Sequence, residues 1–311
     1  MQTDYRIYMI EEVKINNKLT FSGHDTFHCR HLWLKKGYEF VKKGYKFSSE
    51  DAVVTLGVGK NMVSSIYFWM KAFGILDKEG NLTDFAKYIL EDATGKDPYL
   101  EDEATLWLLH YHLVTQNVSS IYNLIFNEYR REKIEFTKEH FIAFAVRKAE
   151  ELGISQVNKN TVSTDFDVLT KMYLRTDVQS KDKEDTFSGL LTDLMLIQNE
   201  KRKVDDKFES YVSIVSTDKL EIPEEVLLYG ILDNNNFDKS ISFQTLEQER
   251  NQIGSVFAID QAGLLRKVDS IVSNSNYQPY GIVFNNHAGI KELQFKEKPN
   301  KFSVLDFYYD K

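Results

Sequence analysis

The tightest constraint on how this chain can fold lies between Ser48 and Leu76, where two helical periods are joined by a turn of a few residues. SSEDAVVTLG opens on serines followed by Glu50 and Asp51, a helix start in which a hydroxyl caps free amides and acids sit at the positive end of the dipole. Gly57 ends that helix, because glycine enters the left-handed conformation without a side-chain penalty. After VGK a second period begins in NMVSSIYFWMKAFGIL, with Met62, Ile66, Trp69 or Met70, and Phe73 forming a stripe for burial. Its other face carries Asn61, Ser64, Ser65, Phe68 and Lys71.

Two helices so joined predict a helix-turn-helix, with Val53 as the apolar contact of the first helix and Val63 and Ile66 as core anchors of the second. Gly74-Ile75-Leu76, the turn DKEGN and Leu82-Thr83 predict a short hairpin leading into a Thr-capped helix, DFAKYILED. Helix, helix, hairpin, helix is the order of a winged helix. Such units bind duplex DNA in some proteins and serve only protein–protein contacts in others.

The remaining periods are mostly helical. Residues 5 to 20 alternate loosely, as one or two short strands do. Trp33, Leu34, Tyr38 and Val41 make one face of a helix over residues 33–46, ringed by Lys35, Lys36, Lys42 and Lys43. TLWLLHYHLV and SIYNLIFNEYRREK are strongly helical, and His110 and His112, two apart, point in different directions as core or boundary residues. Phe136 to Leu152 is amphipathic, and residues 155–175 give a capped helix with Val162, Phe166, Leu169 and Tyr173 on one face. VQSKDKED reads as a loop, FSGLLTDLMLI as a helix, and KRKVDDKFESYVSIVSTDKLEIP as strands about a polar turn, with a boundary at Pro223. Three helices, in EEVLLYGILDN, SISFQTLEQE and QAGLLRKVDSIVSNS, then precede a hairpin in YGIVFNNHAGIKELQFKE.

The expected fold is therefore mainly α with small β-hairpins (α+β), and 311 residues fit two or three domains. The divisions expected are a winged helix-turn-helix with a helical extension over residues 1–135, a helical middle over 136–222, and a second winged-helix-like unit over 223–311. No apolar run approaches the roughly 18 to 20 residues that span a bilayer. MQTDYRIYMIEEVKINNK lacks a signal pattern, and the single Cys29 allows no internal disulfide, so a cytoplasmic protein with no membrane partner is expected.

Charge narrows the functional classes. A net charge of −8 opposes a general phosphate-coating role, since an acidic surface repels DNA at long range. Its distribution is uneven: Met1 to Ala72 holds 11 Lys and Arg against seven Asp and Glu, while Asp77 to Glu135 holds six against 12. Duplex DNA, if bound, is therefore expected at the N-terminal quarter. Lys60 and Asn61, at the start of the second helix, suit phosphate, Ser64, Ser65 and Lys71 would face the groove, and Lys35, Lys36, Lys42 and Lys43 would add backbone contacts. The competing expectation is an adaptor without DNA contact.

Enzymatic signals are weak. His24, His28, Cys29 and His31 place four metal-capable donors within eight residues, yet Gly23 and Phe27 favour an irregular turn and no second donor pair lies at zinc-finger spacing. Ser22, His24 and Asp25 are expected instead to form a hydrogen-bonded turn that fixes this segment against the winged unit. LGVGKN fails as a phosphate loop, which needs Gly at Val54 and Ser or Thr at Asn61. No nucleophile elbow, carboxylate pair or cofactor fingerprint stands out, so no catalytic residue, metal or cofactor is expected.

At FSGHDTF, WLKKGY and LGVGKNMV followed by FWMKAFGI, the chain resembles a bacterial and archaeal family of unknown function. Fainter echoes lie in NTVSTDFDVLTKMYL, TFSGLLTDLMLI and FAIDQAGLLRKV. His28 and Cys29 depart from the Pro and aliphatic residue of the family pattern, which further weakens a metal reading. The resemblance implies a place in defence-type gene clusters beside phosphoadenosine-phosphosulfate-reductase-like proteins, including clusters for DNA phosphorothioation. It implies a reductase-like or ATPase protein as the partner of an adaptor, and no catalytic residue.

Overall fold

The computed structural model describes residues 19–154, 156–175, 189–234, 236–287 and 289–311. The N-terminal periods become helices α1 (Trp33–Lys42), α2 (Ala52–Leu56), α3 (Lys60–Ala72) and α4 (Asp84–Leu90). They lead to α5 (Glu103–Thr115) and α6 (Ser120–Leu124), which runs through a π-helical segment, Ile125–Tyr129, into α7 (Arg130–Glu132). After β1 (Glu135–Phe136) come α8 (Lys138–Glu151) and α9 (Lys159–Tyr173), then β2 (Gln198–Val204) and β3 (Lys207–Ser213). The C-terminal part holds α10 (Glu224–Asp233), β4 (Ser240–Ser242), α11 (Phe243–Gln248), α12 (Ile253–Val256), α13 (Gln261–Ser273), β5 (Ile282–His287), β6 (Ile290–Phe295) and α14 (Lys301–Tyr309). Among the described residues the fold is α+β, with two antiparallel three-stranded sheets ordered β1-β3-β2 and β4-β6-β5. No described helix is long and apolar enough to cross a membrane.

The core forms around α5, in which every residue from Ala104 to Val114 is buried. A helix apolar on all sides must be surrounded, and here the surroundings come from the whole chain. One apolar cluster runs from Cys29 through Trp69, Phe126, Phe166 and Tyr229 to Leu305. Several polar groups inside it are paired across the core. Tyr111 Oη donates to Gly230 O at 3.2 Å, and His112 Nε2 meets Tyr229 Oη at 3.0 Å. His110 Nε2 donates to Val256 O at 2.8 Å while Nδ1 accepts from Tyr173 Oη at 2.7 Å, so the neutral ring serves both partners. The two histidines thus reach different neighbours from one helix, as their spacing implied.

The elements differ from the sequence expectation in several places, among them β1 and β4, which take Phe136 and Ser240–Ser242 out of expected helices. The first helix of the N-terminal pair starts at Ala52, because residues 46–49 form a turn closed by Ser49 Oγ donating to Lys46 O at 2.8 Å. The described part of FSGLLTDLMLI contains only one 3₁₀ turn, Thr192–Leu194. There Gly189 bridges to Arg30 and passes so close to α9 that a Cβ on it would lie 2.1 Å from Lys171 O, leaving no room for a helix surface. Helix α14, after the hairpin, had no counterpart in the reading, although Asn300 caps it by accepting from Phe302 N and Ser303 N. The loop VQSKDKED and nearly all of the strand pattern before residue 20 lie outside the described residues.

Burial pushes His110 down to about 3 and His112 down to about 4 from an ordinary value of 6.5. Both folded-state values lie below the unfolded ones, so the unfolded chain binds the additional protons. Stability is then complete above pH about 6.5 and falls as pH drops toward about 4, by about 1.4 kcal/mol per pH unit for each ring. Urea unfolding between pH 7 and about 4.5 should show this slope. In His112→Phe it should be shallower by about one proton; an unaltered slope would show that this ring is not its source.

Candidate nucleic-acid interface

The α2–α3 unit is built on close backbone turns. Gly57 adopts a left-handed conformation (φ 63°) at the end of α2, with Gly57 N donating to Val54 O at 3.2 Å and Val58 N to Val53 O at 3.3 Å. Extended Gly59 then delivers the chain to Lys60. Helix α1 lies against α3 at Gly37, where a Cβ would come within 2.2 Å of Met70 Sδ and 3.2 Å of Ile66 Cγ2. Phe40, Ala52, Leu56 and Val63 form a small core between the helices. Val63 and Ile66 are buried as expected, but the contact expected of Val53 is made by Ala52 and Leu56. The later start of α2 leaves Val53 and Val54 turned outward, Val54 with 82% of its surface exposed. The hairpin after α3 consists of one bridge, Leu76 to Leu82, flanked by Asp77 N donating to Asn81 O and Thr83 N to Ile75 O.

The nine residues expected to meet DNA divide sharply. Lys60, Asn61 and Ser64 are exposed together at the start of α3, and Lys43 is exposed after α1. Ser65 belongs inside: it is fully buried and donates to His24 O at 2.9 Å, which removes it from any groove-facing surface. Lys35 is held by Leu90 O at 2.8 Å, Glu39 at 3.2 Å and Asp92, and Lys42 by Glu91. Lys36 Nζ donates to Leu56 O at 3.1 Å, closing the end of α2. Lys71 donates to Lys78 O at 3.2 Å, with its ammonium 4.6 Å from the Tyr67 ring centre. The hydrogen bond from Lys42, with help from Tyr38, holds Glu91 below the usual carboxylate range, and Lys35 does the same for Asp92. Acids following α4 therefore neutralise much of the basic face of α1.

FSGHDTF forms the support beneath this unit. The His24 ring stacks on Trp69 at 5.3 Å and 9°, and meets the edge of Phe68 at 5.3 Å. Trp69 Nε1 donates to Phe27 O at 3.0 Å. Gly23 (φ 104°) passes under Phe68, where a Cβ would be 2.7 Å from the ring. The expected turn thus does fix the segment against α3, but its main anchor is remote. Asp165 of α9, fully buried, accepts from Ser22 N at 3.0 and 3.1 Å and stands 3.3 Å from His24 Nε2, while His24 Nδ1 lies 3.1 Å from Asp25 O. Of the four metal-capable donors, His24, His28 and Cys29 are buried and His31 is exposed. Burial raises the Cys29 thiol well above its ordinary range. Among the described residues no three His, Cys, Asp or Glu converge on a metal position.

The family comparison begins at this same segment. The matching family model, described as a protein of unknown function, covers residues 21–309. The chain belongs to the DUF4007 family. Two solved structures are similar over 94% of this chain and 88% of theirs, each at 26% identity: a magnesium ion-bound SspB crystal structure, with a TM-score of 0.79, and an SspB crystal structure, with a TM-score of 0.77. A comparison with curated proteins gives no match.

Asp165 was missed in the sequence, yet its signal is there: positions 162, 165, 169 and 173 share one helix face, and Asp165 is the one acid in that apolar stripe. Asp165→Ala should lower stability by about 3 to 5 kcal/mol, the cost of breaking a buried polar network at one partner. Urea unfolding would measure it, and a loss below about 1 kcal/mol would show that the anchor carries little weight.

Proposed function

We propose that this protein binds duplex DNA through α2 and α3, used as a winged helix-turn-helix, as a component or regulator of a DNA sulfur-modification or phage-defence system. The observation that carries the reading is the start of α3. Lys60, Asn61 and Ser64 are exposed there, and Gly59 supplies no side-chain cap, so the first amides of a 13-residue helix point outward unspent. The inner face of the helix is locked by α1 and FSGHDTF, which suits an element that must keep its angle in a groove. Lys43 adds a phosphate contact, while Lys35, Lys36, Lys42 and Lys71 act within the fold. Likeness to SspB supports the phosphorothioation setting. The C-terminal helices and sheet are a second winged-helix-like unit in this reading, with no DNA contact assigned.

A specific observation favours a second reading. Val53 and Val54 are exposed beside one another on α2, and the net charge is −8, a combination that suits docking on a protein. In that reading α2 meets a phosphoadenosine-phosphosulfate-reductase-like or ATPase partner.

Salt titration of binding to short labelled duplexes, plain and phosphorothioate-modified, separates the two. The logarithm of the affinity should fall linearly with the logarithm of salt, and Lys43→Gln with Lys60→Gln should flatten the slope by about 1 to 2 units. An unchanged slope sinks this placement. Absence of binding at low salt, together with a partner complex lost in Val54→Asp, would establish the adaptor.

A further inference from the structure

The π-helical segment Ile125–Tyr129 delivers two arginines to a site far in sequence from α3. Arg130 has 7% of its surface exposed. Its Nε donates to Phe126 O at 2.9 Å, Nη1 to Ser216 Oγ at 2.8 Å, and Nη2 to Gly254 O and Ser255 O at 3.1 Å each. All these partners are neutral. Arg131, exposed beside it, donates to Ser255 Oγ. Three residues beyond Ser216, Lys219 is also 7% exposed and sits in a left-handed conformation (φ 49°). Among the described residues its ammonium makes no hydrogen bond, and its ion pair with Glu221 is long, at 3.8 Å.

The other carboxylates of these elements are engaged elsewhere. Glu128 pairs with Arg250 at 2.8 Å and Lys148 at 2.6 Å, Glu132 with Arg147 at 2.5 Å, and Asp218 with Arg266 at 2.9 Å. Burial, then the charge of Arg131, pulls Arg130 down to about 10, and burial lowers Lys219, opposed by the charges of Glu221 and Asp218 and reinforced by that of Arg130. Arg130 is a buried cation whose partners are all neutral, and Lys219 has only the long pair with Glu221, an arrangement that opposes folding unless an anion joins it. We propose that Arg130, Arg131 and Lys219, with the Ser216 hydroxyl, bind a phosphate-class oxyanion. One Nη1 hydrogen of Arg130, the three ammonium hydrogens of Lys219 and the Ser216 hydroxyl are available to it. Ser216 and Arg131 are exposed and form the approach. The anion is either free or part of a nucleic-acid backbone, and the site does not depend on DNA binding at α3.

Thermal unfolding of the full chain in sodium phosphate, against sodium chloride of equal ionic strength at the same pH, tests this. The wild type should melt about 3 °C or more higher in saturating phosphate. Lys219→Met, which keeps the apolar stem, should lose that rise while melting no lower than the wild type in chloride. Arg131→Gln, at the exposed rim, should lose part of it. A wild type that melts alike in both salts, or a Lys219→Met variant that gains as much from phosphate as the wild type, would overturn the site. Where the phosphate response is present, a short single-stranded oligonucleotide that reproduces it identifies the ligand as backbone phosphate, and one that does not identifies it as a free anion.

Discussion

A single buried carboxylate fixes the N-terminal third of the molecule. Asp165 reaches from α9 to the backbone of Ser22 and the ring of His24, groups separated from it by more than 140 residues. Without that anchor the segment FSGHDTF would have little reason to hold a left-handed Gly23 under an aromatic ring, a conformation whose entropic cost local contacts alone do not offset. With it in place, His24 stacks on Trp69 and takes the Ser65 hydroxyl on its carbonyl, and one side of α3 is closed to solvent. The outward direction of Lys60, Asn61 and Ser64 is the geometric consequence. Asp165 touches none of them, but it sets which way they face.

Electrostatics then decides how much of the basic sequence is available. Lys35 and Lys42 lie seven residues apart on one side of α1, and Glu91 and Asp92 come to meet them from the end of α4. An exposed ion pair contributes little stability, but it removes two positive charges from any surface offered to phosphate. Lys43 and Lys60 remain exposed, in a protein whose net charge is −8 and whose association with phosphate would have to be guided locally. Val53 and Val54 of α2 are exposed on the same unit, with Leu32 and Tyr45 at the ends of α1.

What could be read from the sequence follows from which forces are local. Gly57 as a helix stop, Thr83 as a cap and the hairpin in YGIVFNNHAGIKELQFKE depend on backbone rules within a few residues, and they are present. The stripe through Ile66, Met70 and Phe73 follows from period alone. Ser65 shows the limit: helical spacing put it on the polar face, but a carbonyl from His24 arrives to pair with its hydroxyl and the position is buried. Lys35 and Lys42 fail in the same way, since Asp92 and Glu91 lie 57 and 49 residues on. FSGLLTDLMLI carried a helical pattern that close approach to α9 overrides at Gly189. These misses are contacts between segments distant in sequence, whereas the shifted start of α2 is set by the local turn at Ser49.

The two cationic places in the molecule differ in kind, and this difference bears on how they would act together. Lys60 stands in water, so its attraction to phosphate is screened over roughly 10 Å at 0.1 M salt. Contacts of that sort fix position and respond to ionic strength. Arg130 and Lys219 stand in a medium that screens poorly, held by the π-helical segment and by a strained backbone. An anion there would be selected by shape and hydrogen bonding and would be less sensitive to salt. If both act on one nucleic acid, the exposed lysines govern how often it arrives and the buried pair how long a correctly placed phosphate stays. If the buried pair takes a free anion, it governs the stability of the helical core instead, because Arg130 binds the turn of α12 to the helix that carries it.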